Sequence, residues 1–165
     1  MTPLNEWSMN GLLVKLENGP HDDVGMDYVV KSKRIGYMPL QAVGTFPGKV
    51  GPAIQVQEMT LAKKVAYWPE VSLKDFGRRT MIYEATKKAL DDANGLKAVE
   101  VGFFTVGLEV AGVPSWEVAE EIVKAVHEYS VNKGTISTAV LVAGSPIQVS
   151  SFQYALNNRV LLTHD

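Results

Sequence analysis

The sequence predicts a single α/β domain built on a largely parallel sheet, and two observations carry that reading. From Lys74 onward, runs with helical spacing alternate with short, densely apolar runs, joined by connections of the length a strand–helix–strand crossover needs. The chain of 165 residues, 46% hydrophobic and 21% charged, is long enough for one packed core and too short for two ordinary ones. There is no internal repeat, low-complexity tract or charge block, so residues 1–165 are expected to form one domain.

In the first half, residues 1–72 hold six of the eight prolines and little helical periodicity. Short extended runs are expected at Gly11–Leu16, Asp27–Lys31, Ala53–Met59 and Lys63–Trp68, the last closed by Pro69. Between them Gly36–Pro52, rich in glycine and proline, reads as a loop. In the second half Asp75–Ala93 reads as a helix, with Phe76, Ile82, Ala85, Ala89, Leu90 and Ala93 on its apolar face and Asn94-Gly95 as its left-handed stop. Lys97–Thr105 follows as a central strand. Val106–Pro114 is a glycine-bearing loop, and Ser115 caps a helix over Trp116–Ser130 with Val118, Ile122, Val126 and Tyr129 on its face. Thr138–Ala143 is a second buried strand and Val149–Asn157 a short final helix. In parallel sheets of this kind ligands sit outside the carboxyl ends of the strands, which is where Val106–Pro114 falls.

Composition removes several function classes. The absence of cysteine excludes disulfides, thiolate catalysis and sulfur-ligated metal centres. A formal net charge of −2 lacks the basic excess of a nucleic-acid binder. No run approaches the about 18 apolar residues of a membrane span, and MTPLNEWSMNGLLVKLENG has no secretory signal pattern, so the expected compartment is the cytoplasm.

Most polar motifs have ordinary structural readings. Gly48-Lys49 suggests a phosphate loop, but Val50 stands where Ser or Thr is required and no helix follows. His21-Asp22-Asp23 cannot complete a coordination sphere, and neither His127 nor His164 joins a triad; no metal or resident cofactor is expected, and the sequence assigns no catalytic residue. Asp91/Asp92 and Glu120/Glu121 read as solvated helix positions, whereas Arg78 and Arg79, near a helix start where cations do not help the dipole, read as ligand or partner contacts. The segment TVGLEVAGVPS, Thr105–Ser115, is the strongest binding candidate, because glycines let backbone N–H groups turn toward an anion. The spacing of Gly107 and Gly112 matches no dinucleotide fingerprint, and Glu109 places a negative charge inside the loop.

The stretch RRTMIYEATKKALDDANGLKAVEVGFFTVGLEVAGVPSWEVAEEIVKAVHEYS resembles the C-terminal half of macro domains. TAVLVAGSPIQVSSFQYAL resembles the family's last strand and helix, and LAKKVAYW an upstream strand, so that residues 61–157 carry the likeness. The resemblance implies a three-layer α/β/α macro-domain-like fold with a mixed, largely parallel sheet and a reduced or irregular N-terminal half. It also implies a pocket for ADP-ribose, a related nucleotide or another phosphorylated small molecule, lined by Gly107, Leu108, Glu109, Val110, Ala111 and Gly112, with Asp27 near the adenine position. Glu109 and Ala111 stand where the family has glycines, KSKR (Lys31–Arg34) replaces its asparagines, and its glycine run is absent, with VGTFPGKVG the nearest substitute. The family's ADP-ribosyl hydrolase activity depends on those missing parts, so a binding module is expected rather than a hydrolase. The alternative is a degenerate macro-type fold acting as a structural, homo-oligomeric protein without a nucleotide.

Overall fold

The computed structural model describes residues 5–19, 23–33, 36–38, 54–56 and 61–159. Among these, the main sheet has six strands: β1 (Glu6–Met9), β2 (Leu12–Asn18), β3 (Tyr28–Lys31), β6 (Val65–Tyr67), β7 (Glu100–Phe104) and β8 (Thr138–Ala143). Their spatial order is β1-β2-β8-β7-β3-β6. β1 pairs antiparallel with β2, and every other neighbouring pair is parallel. The helices are α1 (Arg78–Gly95), α2 (Val106–Val110), α3 (Ser115–Val131) and α4 (Pro146–Asn157).

The expected mixed, largely parallel sheet is therefore present. Alternation places Leu12, Val14 and Leu16 of β2, Val101 and Phe103 of β7, and Ala139, Leu141 and Ala143 of β8 on one face. There they meet Ile82, Leu90 and Ala93 of α1, Val118, Ile122 and Val126 of α3, and Phe152 and Leu156 of α4. The opposite face buries Val29, Phe104, Val140 and Val142 with Met26, packed against Ala62 and Val65. Strands β3, β7 and β8 are thus covered on both sides, as the middle layer of a three-layer domain, which is why their sequences are continuously apolar rather than alternating.

Local chemistry accounts for the joints. Asn10 (φ 49°) and Gly11 (φ 86°) form a two-residue turn between β1 and β2, the left-handed pair that a tight hairpin needs. The expected strand at Gly11–Leu16 is β2; its partner β1 has no counterpart in the sequence reading, although the Asn-Gly pair is a signal for it. Ser145 caps α4, its side chain accepting from the Gln148 N–H, with Pro146 as the first helical residue, three positions earlier than expected. Ser115 does not cap α3: Pro114 holds the cap position and no side chain bonds there.

Three further expectations are corrected. Helix α1 begins at Arg78, and Phe76 lies outside it, fully exposed, because the segment before Arg78 is held by Ser72–Asp75 turn bonds instead. The left-handed residue after α1 is Lys97 (φ 61°), not Asn94 or Gly95. Ala98 N–H bonds to Ala93 O at 2.9 Å and Lys97 N–H to Asn94 O at 3.0 Å, the two bonds of a Schellman stop. Asn94 is instead drawn into the tertiary structure, its Oδ1 accepting from Tyr129 Oη and Thr135 N–H. Finally, the stretch Gly36–Pro52 is not a loop throughout. Gly36–Met38 is a strand, β4, paired antiparallel with β5 (Ile54–Val56), a partnership between segments distant in sequence that local composition does not announce. Residues 39–53 lie outside the described residues, as do His21, Asp22, Arg34 and His164.

Candidate functional site

The carboxyl ends of β8, β7 and β3 lie side by side in the middle of the sheet. β7 leads through Thr105 into α2, β3 into Ser32, and β8 into Gly144 and Ser145. The sequence reading makes Val106–Pro114 a loop; the structure makes its first five residues a helix, α2, laid across these strand ends. Two close contacts hold it there. A Cβ built on Gly107 would stand 1.8 Å from Ser32 Oγ, so glycine is needed to bring α2 onto the end of β3. On the other side, Gly144 N–H donates to Glu109 Oε2 at 2.7 Å. Thr105, fully buried, donates its hydroxyl to Val142 O at 3.0 Å and reaches the same Glu109 oxygen at 3.3 Å.

The remaining residues of the predicted binding segment divide by role. Leu108 is buried in the main core, and Val110 and Ala111 are exposed. Gly112 has φ 86° and ends α2: its N–H bonds to Glu109 O, and Val113 N–H to Leu108 O. The freedom of this glycine therefore serves the chain's change of direction into α3.

Asp27 is not brought to this place. It sits at the opposite end of the sheet, where its Oδ2 accepts the N–H groups of Val99 (2.9 Å) and Glu100 (3.0 Å) at the entry to β7. Its Oδ1 lies 3.0 Å from Lys63 Nζ. Those bonds, the Val99 N–H first, hold its carboxyl below the ordinary aspartate range. The whole length of β7, Glu100–Phe104, about 13 Å at 3.3 Å per residue, lies between them, so Asp27 and α2 are at opposite ends of the sheet.

The basic residues also resolve. Arg78 makes a two-point pair with Glu117 (Nε–Oε1 2.7 Å, Nη2–Oε2 2.9 Å), and Arg79 Nη2 reaches Glu120 at 2.6 Å and Glu121 at 2.7 Å. These arginines therefore join the first turn of α1 to the first turns of α3, and Glu120 and Glu121 are partners in that joint rather than merely solvated. Lys31, at the end of β3, is buried with Asp23: Nζ lies 3.0 Å from Asp23 Oδ2 and 4.5 Å from the Phe104 ring centroid. Asp23 also accepts the Leu61 N–H. The sequence signal for this pair was the apolar run around Lys31, where a lysine on a buried strand requires a counter-ion.

Among the described residues no group of three or more His, Asp or Glu side chains is arranged to hold a metal ion, and no helix is long and apolar enough to cross a membrane. A separate cavity of about 500 Å³ lies between α3 and α4, bordered by Trp116, Glu120, Ile147, Ser151 and Tyr154.

No protein-family model and no curated protein sequence matches the chain. Solved structures do. A glycine-to-valine mutant of the Oceanobacillus iheyensis macrodomain with ADPR superposes with a TM-score of 0.67 at 12% identity, covering 94% of this chain and 98% of that one. The same macrodomain with ADP gives 0.66 at 12% identity over 95% and 96%. The Trypanosoma brucei macrodomain in complex with ADP gives 0.59 at 14% identity, covering 86% of this chain and 68% of that one. The chain has the macrodomain fold, as the resemblance of its second half implies.

Proposed function

We propose that this protein is a binding module for ADP-ribose or a related nucleotide, held in the cleft at the carboxyl ends of β3, β7 and β8. One observation supports this reading above the others: the chain follows the macrodomain fold over nearly its whole length, and the two O. iheyensis structures named above contain ADPR and ADP. On this reading Gly107–Gly112 form one wall of the cleft. Leu108 anchors that wall in the core, and Ser32, Thr105 and Gly144 border it. Asp27 has no part in it. No reaction is assigned, since Glu109 is engaged by Thr105 and Gly144 and no acid–base pair is brought together with it among the described residues.

Calorimetric titration with ADP-ribose, with AMP and ATP as comparators, tests the proposal. A micromolar Kd, about 8 kcal/mol of binding free energy, is expected for ADP-ribose. The absence of heat with all three, in a folded sample, would overturn it.

A second reading, a homo-oligomeric protein that has kept the fold without a ligand, is favoured by one feature. Trp116, Ile147 and Tyr154 are 53%, 70% and 69% exposed around the α3–α4 cavity. It expects a concentration-dependent dimer in light scattering that Ile147→Glu converts to monomer. A wild-type monomer at high concentration sinks it.

A further inference from the structure

Helix α2 lies as a bar across the ends of three adjacent strands, touching the exit of β3 through Gly107 and the exit of β8 through Glu109. The second contact is chemically distinctive. At 2.7 Å, the Gly144 N–H donates to a carboxylate oxygen, the Thr105 hydroxyl stands 3.3 Å from the same oxygen, and a Cβ on Gly144 would lie 3.1 Å from it. A backbone N–H at a strand exit is a donor suited to an anion, and this chain fills it with its own carboxylate, while the Thr105 proton goes to Val142 O.

Building on the nucleotide-binding reading proposed above, we infer that Glu109 is an internal anion that competes with the phosphates of the ligand and thereby sets the specificity of the site. A phosphate approaching Gly144 meets the charge of the half-buried Glu109 side chain, of its own sign, a few ångströms away, where like charges repel. It gains the Gly144 N–H only if Glu109 swings out. A nucleoside carries no such charge and is not repelled. The wild-type protein accordingly binds the nucleoside part of its ligand at full strength and its phosphates at reduced strength, and residue 109 is the determinant.

The test is titration of wild type and E109Q with ADP and with adenosine. Glutamine retains an oxygen that can accept the Gly144 N–H, so the contact survives while the charge is lost. The expected result is at least tenfold tighter ADP binding by E109Q, with adenosine affinity unchanged within twofold. Equal ADP affinities in the two proteins would overturn the inference and leave the binding proposal standing. Equal tightening of ADP and adenosine would also overturn it, since that points to loosening of α2 rather than to charge. No binding of either compound by either folded protein would overturn the binding proposal itself, and this inference with it. If E109Q does not fold, the wild-type protein still decides. The Gly144 amide resonance is expected to move by more than 0.3 ppm at saturation with ADP and by far less with adenosine; a Gly144 signal indifferent to ADP at saturation would refute the displacement.

Discussion

Gly107 and Ser32 meet so closely that there is no room between them for a methyl group: a Cβ at position 107 would lie 1.8 Å from Ser32 Oγ and 2.2 Å from Ser32 Cβ. Because the clash reaches Ser32 Cβ and not only the hydroxyl, a rotamer change does not relieve it. Gly107→Ala is expected to destabilise the fold by about 1–3 kcal/mol, the usual cost of overpacking a tight contact. Ser32→Gly in the same chain should recover most of that loss. Chemical denaturation of the two single variants and the double variant measures it, and additive single effects would show that the two residues are not in contact.

Lys97 holds the left-handed position of the stop that ends α1, with φ 61° and its side chain exposed. Glycine adopts that conformation without the Cβ penalty. Lys97→Gly is expected to stabilise the protein by about 0.5–1 kcal/mol. A higher Tm with unchanged circular dichroism is the predicted readout, and a lower Tm would mean that the lysine side chain supplies more than its backbone costs.

Asp27 accepts two backbone N–H groups at the entry to β7. Asp27→Ala leaves those donors to water and is expected to cost about 1–2 kcal/mol, discounted for their partial exposure. Since Asp27 lies across the sheet from α2, the same variant should leave ADP-ribose affinity within twofold of wild type. A loss of binding in a fully folded D27A protein would contradict that placement.

Asp23 and Lys31 form a buried pair. Burial by itself raises the Asp23 pKa, but the hydrogen bond from Lys31, the Leu61 N–H and the lysine charge outweigh it, and the carboxyl is held below its ordinary value. Asp27 is likewise depressed. A carboxyl whose pKa is lower when folded adds stability above its unfolded pKa of about 3.9 and loses it as pH falls through the folded value. Stability is therefore expected to be level down to about pH 4 from these two groups and to fall below it. Asp23→Asn, which takes this carboxylate away from a buried lysine, should cost about 1.5–3 kcal/mol at pH 7 and flatten that acid limb. Urea midpoints at pH 7 and pH 3 for wild type and variant test both statements.

The parts of this protein that its sequence determined are those whose signal is local. The apolar spacing of Ile82, Ala89, Leu90 and Ala93 and of Val118, Ile122 and Val126 specifies two amphipathic helices because a 3.6-residue period buries one face whatever lies beneath it. The unbroken apolar runs Val101–Phe104 and Ala139–Ala143 specify central strands because only a strand covered on both faces can bury every residue. The macrodomain fold itself was suggested by the likeness of residues 61–157 to that family, not by periodicity.

Tertiary structure decided what depends on partners far away in the chain. Asp27 reads as a ligand contact until Val99 and Glu100, more than seventy positions later, claim its oxygens. Arg78 and Arg79 read as ligand or partner contacts until Glu117, Glu120 and Glu121 arrive from α3. Thr105–Ser115 reads as an open glycine loop, because its glycines permit one. Ser32 and Gly144 hold its Val106–Val110 part as a helix, supplying the close contact and the N–H that make the helical path the better bonded one. A residue's own conformational preference is written in its neighbours along the chain; its hydrogen-bonding partner is chosen only when the sheet brings distant strands within 3 Å.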